Sequence, residues 1–120
     1  MNMEGRRQKR VSRLLQEALS QLLIQEIQNI SQSLVTVTHV DVTADLLTAR
    51  VFLSVYGPDD PQTILAYLGQ RTGSLRKSLA PLVKLKYNPM LFFSLDPTHE
   101  YEQRIDELLQ SAKKRGHGSS

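Results

Sequence analysis

The chain has no cysteine, which removes thiolate metal sites, thiol nucleophiles and disulfide scaffolds from consideration. It has no apolar run near the ~20 residues that a membrane-spanning helix requires. Its polar opening, MNMEGRRQKR, lacks the apolar core of a signal peptide, so a soluble, cytoplasmic protein is expected. A G-x-x-x-x-G-K-[ST] phosphate loop and a G-x-S-x-G nucleophile elbow are also missing. His39, His99 and His117 are scattered without the spacing of a metal site. Glu102, Asp106 and Glu107 crowd one stretch, but carboxylates on an exposed helix ordinarily serve solubility. These absences argue against an enzyme, and no metal or cofactor is expected.

The absence of one charge sign is more informative. Residues 71–86 carry Arg71, Arg76, Lys77, Lys84 and Lys86 without a single acid, and residues 1–13 carry five Lys/Arg against Glu4 alone. Most carboxylates lie elsewhere, at Asp41, Asp45, Asp59, Asp60 and from Glu100 to Glu107. A formal charge of +3 is modest, but clustered cations with remote acids are the electrostatic footprint of a polyanion partner.

What is present reads as one domain of 120 residues, long enough to bury roughly two-thirds of its unfolded surface without a covalent staple. Val11, Leu14, Leu15, Ala18, Leu19, Leu22, Leu23, Ile27 and Ile30 recur at three- and four-residue spacing, an amphipathic first helix. Arg6, Arg10 and Arg13 share one face of its start, where the helix dipole disfavours cations. Charges set against local stability are candidates for a partner contact.

Two strands follow, over 35–43 and 47–56. In the first, the apolar phase changes between Val35/Val37 and Val40/Val42, which predicts a bulge near Thr38 or His39. In the second, Leu47, Ala49, Val51, Leu53 and Val55 share a face, and the short link makes a hairpin. Asp60-Pro61 marks a helix start, an N-cap followed by proline at the first helical position. Ile64, Leu65 and Leu68 form its buried side up to Gly73.

A third helix is predicted with Thr72 or Ser74 as cap and Leu75, Leu79, Leu82 and Val83 inward, kinking or stopping near Pro81. PMLFFSL, over 89–95, reads as a strand with Leu91, Phe93 and Leu95 toward the core and proline confined to its start. A last helix is expected over 98–113, carrying Tyr101, Ile105, Leu108, Leu109 and Ala112, before a tail over 114–120. Phe52, Phe92 and the four tyrosines are candidates for base stacking as in single-strand readers, but no RNP-like pattern accompanies them, and the two phenylalanines are expected to pack within the sheet. The order α-β-β-α-α-β-α describes an α+β domain over 1–113, a three-stranded sheet with helices on one face.

With these pieces in order, RRQKRVSRLLQEAL, VTVTHVDVTADLLTARVFLSVY, LRKSL, PMLFFSLD and DPTHEYEQRIDELL, the chain resembles the ribosome-binding factor A family. The resemblance implies a type II KH-like fold. It also implies a non-catalytic, monomeric assembly factor that binds the immature 30S ribosomal subunit, promotes late 16S rRNA maturation and supports growth in the cold. Assembly GTPases are candidate further partners. The family's kink between two helices, Ala-x-Gly, corresponds here to Arg71, Thr72 and Gly73, so a cation stands where a small residue is usual. Together with Arg6, Arg10, Arg13, Arg76, Lys77, Lys84 and Lys86, these positions form the expected RNA-binding surface. Gly73 is expected to supply the conformational freedom of the kink.

Two rivals remain on sequence grounds. The helix-Gly-helix segment allows a DNA-binding helix-turn-helix, although its second helix contains Pro81 and lacks Asn or Gln for adenine readout. A protein-only adaptor predicts binding that barely responds to salt.

Overall fold

The computed structural model describes residues 5–98. Beyond its first residue, the helix expected over 98–113 lies outside the described residues, as does the expected tail over 114–120. Helix α1 (Arg6–Gln28) buries Val11, Leu15, Ala18, Leu19, Leu23 and Ile27, with Leu14 and Leu22 half-buried beside them. Ile30, expected to extend this stripe, instead follows the helix end and is 47% exposed. Gln8 secures the start of α1 twice. Its Oε1 accepts from Gly5 N–H at 2.9 Å, and its Nε2 donates to Val42 O at 2.9 Å.

Strands β1 (Leu34–Val42) and β2 (Thr48–Tyr56) pair antiparallel. The register shifts between Val37 and His39, the bulge that the change of apolar phase predicts. It allows Val35, Val37, Val40 and Val42 all to face the helices. Gln16 Nε2 reaches the carbonyls of Val37 (3.3 Å) and Thr38 (3.4 Å) at this irregularity. Ala49, Val51, Leu53 and Val55 are buried as expected, whereas Leu47 precedes the strand and is half exposed.

Helix α2 (Pro61–Gln70) starts as its sequence predicts, with Asp60 Oδ1 accepting from Gln62 N–H at 2.9 Å. Helix α3 (Thr72–Val83) continues through Pro81 and ends two residues later, with Lys84 as its C-cap. Its buried line runs Leu75, Leu79, Val83 in steps of four. Leu82, expected inward, lies at the edge of that line and is 51% exposed.

Strand β3 (Met90–Leu95) pairs parallel to β2, setting Leu91 against Ala49 and Phe93 against Val51, so the mixed sheet has the order β1-β2-β3. α1 packs on β1 and against α3, while α2 and α3 both reach β3. The architecture is the expected α+β one. Strand alternation points Phe93 to the core and turns Phe92 to the opposite face, 55% exposed. Phe52 on that same face stacks on His39, with ring centroids 5.8 Å apart. The sheet packing expected of Phe92 is therefore not what its register provides. Among the described residues, no helix is long and apolar enough to cross a membrane.

Candidate nucleic-acid interface

Three segments remote in sequence meet in a cleft of about 530 Å³. The start of α1 supplies Arg7, Arg10, Val11 and Leu14; the β1–β2 turn supplies Asp45 and Leu46; the end of α3 and the link to β3 supply Val83, Lys84, Leu85, Lys86 and Tyr87. Both basic clusters legible in the sequence thus contribute to one surface. Among the described residues, four cations line it against one carboxylate. Apolar side chains form the rest of the wall.

Local structure explains the geometry. The Gln8–Val42 bond holds the first turn of α1 against the end of β1, beside the turn that carries Asp45. Asp45 Oδ1 accepts from Thr43 Oγ1 at 2.6 Å and from Leu47 N–H at 3.0 Å. The Thr43 hydrogen bond first, and then that of Leu47, hold its carboxyl below its ordinary pKa. Two non-glycine residues among the described ones have left-handed backbones, Leu46 (φ 63°) and Lys84 (φ 49°), and both line this cleft. Lys86 Nζ lies 5.4 Å from the centroid of the Tyr87 ring, which is itself 61% exposed.

Arg76 acts behind the cleft wall. Its Nε donates to Pro89 O at 3.0 Å and its Nη2 to Asn88 O at 2.9 Å. Asn88 Nδ2 returns a bond to Arg76 O at 3.3 Å. The half-buried guanidinium therefore ties α3 to the segment that carries Lys86 and Tyr87. Lys77, the neighbouring residue, is exposed on α3.

The elbow between α2 and α3 is real, but its hinge is Arg71 and not Gly73. Arg71 alone separates the helices, with φ −104° and ψ 7°. Gly73 sits in the first turn of α3, has no positive φ, and a Cβ added there would meet nothing within 4 Å. Neither Thr72 nor Ser74 is the cap; α3 has Arg71 at that position without a side-chain cap bond. Thr72 Oγ1 instead donates to Gly69 O at 3.4 Å. The described glycine that does need positive φ is Gly57, at +147°.

Arg71 also has a counterion that its own stretch of sequence does not reveal. Its Nε lies 2.5 Å from Glu26 Oε1 on α1, and its guanidinium stands 5.8 Å from the centroid of Tyr67. The hydrogen bond and charge of Glu26 raise its already high pKa. The expected basic positions accordingly occupy several places. Arg10, Lys84 and Lys86 share the cleft; Arg6 is exposed at the first position of α1; Arg13 lines a separate shallow surface with Gln16, Glu17, Ser20 and Gln21. Arg71, Thr72, Gly73 and Lys77 belong to the elbow and α3 rather than the cleft.

Sequence reasoning left Arg7 and Tyr87 out of the expected RNA-binding positions. Arg7 had a usable signal, since three- and four-residue steps place it on the line of Arg10, Val11 and Leu14. Nothing in the sequence singles out Tyr87 from the other three tyrosines, because its placement depends on how the α3–β3 link folds back. Among the described residues, no three His, Asp or Glu side chains gather as metal ligands.

Residues 7–109 match the ribosome-binding factor A family. Ribosome-binding factor A of Halothermothrix orenii is 34% identical over 113 residues, 93% of each chain. That of Carboxydothermus hydrogenoformans is also 34% identical, over 88% of this chain and 85% of its own. The crystal structure of ribosome-binding factor A from Thermus thermophilus superposes with a TM-score of 0.64 at 22% identity, covering 77% of this chain and 97% of that one. Thermus thermophilus ribosome-binding factor A, as fitted into the cryo-EM map of a 30S complex of that factor, gives 0.53 at 25% identity, with 68% and 90% covered. By sequence over nearly its whole length, and by fold, the chain belongs to the ribosome-binding factor A family.

Proposed function

We propose that this chain is a non-catalytic assembly factor that binds the immature 30S subunit in the cytoplasm and promotes late maturation of 16S rRNA. The relative fitted into a 30S complex supports the partner. The observation that carries the chemistry is the convergence of Arg7, Arg10, Lys84 and Lys86 on one cleft. Phosphate contacts from Lys and Arg dominate nucleic-acid affinity. Arg6, Arg13, Arg71, Thr72, Gly73 and Lys77 extend the RNA-facing surface beyond the cleft, and Arg76 holds the wall in place. Binding then favours one rRNA arrangement over another, because a ligand shifts an equilibrium only by its differential affinity.

Sedimentation of a lysate tests this reading. The protein is expected with free small subunits, and with immature particles in preference to mature ones when affinities are compared at one salt concentration. A deletion strain should accumulate small subunits containing unprocessed rRNA, more severely in the cold. Equal affinity for both particles, with normal processing in the deletion strain, would overturn the maturation role. Binding indifferent to salt would instead identify a protein-only adaptor.

A further inference from the structure

Resting on the rRNA-binding reading above, we infer that the cleft takes one unpaired nucleotide, its base stacked on Tyr87 and its flanking phosphates on Arg7, Arg10 and Lys84. The favoured RNA is then single-stranded, and the cleft is a nucleotide site distinct from the α2–α3 elbow.

Size argues for this first. About 530 Å³ lies within the range of small-molecule sites, roughly 300–1,000 Å³, and accommodates a nucleotide but not a duplex. Lining chemistry comes next. A nucleotide has a flat apolar face and an anionic backbone, and the cleft has both complements. Leu14, Leu46 and Leu85 are only partly buried against the core, leaving apolar surface between the cations. Tyr87 presents most of its ring to solvent, with the Lys86 ammonium nearby. Base stacking on an exposed aromatic is the usual means of holding an unpaired base. Bases inside a duplex are already stacked on their neighbours and cannot use it.

The backbone adds an independent observation. Leu46 and Lys84, in left-handed conformations uncommon for side-chain-bearing residues, stand on two different walls of the same cleft. Departures of this kind gather at ligand sites, where the surroundings hold them. Asp45 is the one acid among the described residues that line the cleft. Its Oδ1 is engaged by Thr43 and Leu47 within its own turn, and four cations outweigh it.

The test measures binding of the full chain to a short mixed-sequence oligoribonucleotide, as a single strand and as a duplex with its complement, at one salt concentration. The single strand is expected to bind tighter. Tyr87→Ala should weaken single-strand binding roughly tenfold, within the range measured for loss of one stacked base, while duplex binding stays unchanged. Tyr87→Phe, which keeps the ring, should bind like the wild type. Equal affinity for both forms, no binding to either, or a silent Tyr87→Ala with native circular dichroism would each overturn the nucleotide site. Those results leave the assembly-factor reading standing so long as the protein still sediments with small subunits; loss of that association as well would overturn both.

Discussion

Arg71 Nε lies 2.5 Å from Glu26 Oε1, so the elbow between α2 and α3 is fastened to the C-terminal part of the chain's first helix. A cation that looks unneutralised along its own segment is paired across the fold. Glu26→Gln should release that charge toward RNA. We expect tighter subunit binding and a steeper salt dependence, by roughly 0.7 to 0.9 in the log–log slope if one contact is gained. Melting temperature should change little, since exposed ion pairs contribute little to stability. An unchanged slope would show that freeing Arg71 from Glu26 adds no phosphate contact.

Arg76 and its neighbour Lys77 should separate in their effects. Arg76→Ala removes two charge-assisted bonds to the carbonyls of Asn88 and Pro89, and is expected to destabilise by about 2 kcal/mol in urea titration. Lys77→Glu should leave the denaturation midpoint unchanged and weaken subunit binding. A variant carrying both substitutions would confound stability with affinity, so the single ones are the informative pair.

The two glycines should behave oppositely. A Cβ on Gly57 would lie 2.6 Å from Ser33 Cα, with φ at +147°. Gly57→Ala should therefore destabilise by about 2–4 kcal/mol, from steric overlap and backbone strain together. Gly73→Ala places a better helix former in open space and should stabilise by about 0.5 kcal/mol. Chemical denaturation of both variants checks the sign, which is reversed if Gly73 is a strained hinge.

Lys84 ends α3 in a left-handed conformation that glycine adopts freely. Lys84→Gly is expected to raise stability by up to about 1 kcal/mol while weakening RNA binding and flattening its salt slope by roughly 0.7. Opposite movement of the two readouts distinguishes a charge kept for binding from one kept for folding. A variant that gains stability and binds as before would remove Lys84 from the interface.

Asp45 carries a pH dependence of known sign. Its carboxyl is held below the ordinary 3.8 by Thr43 Oγ1 and then Leu47 N–H. The stability of the β1–β2 turn that these bonds supply is therefore fully present above the ordinary value and is lost as pH falls through the lower folded-state value. Asp45→Asn retains an acceptor oxygen that does not titrate in this range, so its acid melting should show less of this loss. At neutral pH the same variant removes the only acid among the described residues that line the cleft and should bind RNA more tightly. Melting temperatures on either side of the ordinary carboxylate value, and one affinity measurement at neutral pH, test both statements.

Much of this molecule is legible residue by residue. The change of apolar phase in β1 revealed the bulge because strand periodicity is strict, and Asp60-Pro61 revealed the start of α2 because capping is local. Leu82 and Phe92 escaped, since each depends on which side of an element meets a neighbour. The site divided the same way. Basic clusters were visible in one dimension, but Glu26 and Arg76 acquire their roles only through contacts across the fold, and Tyr87 joins the site only because the fold closes the cleft that it lines. Gly73 misled for a related reason: glycine permits an unusual backbone without requiring one.

The cleft draws its walls from both halves of the chain, so an unfolded polypeptide has its cations but not the cleft. RNA that recognises the assembled site must then favour the folded state, by an amount that grows with the logarithm of its free concentration. Such a protein is most robust while occupied and most vulnerable to proteolysis once its target is gone. The supply of target would thereby help set how long each copy lasts.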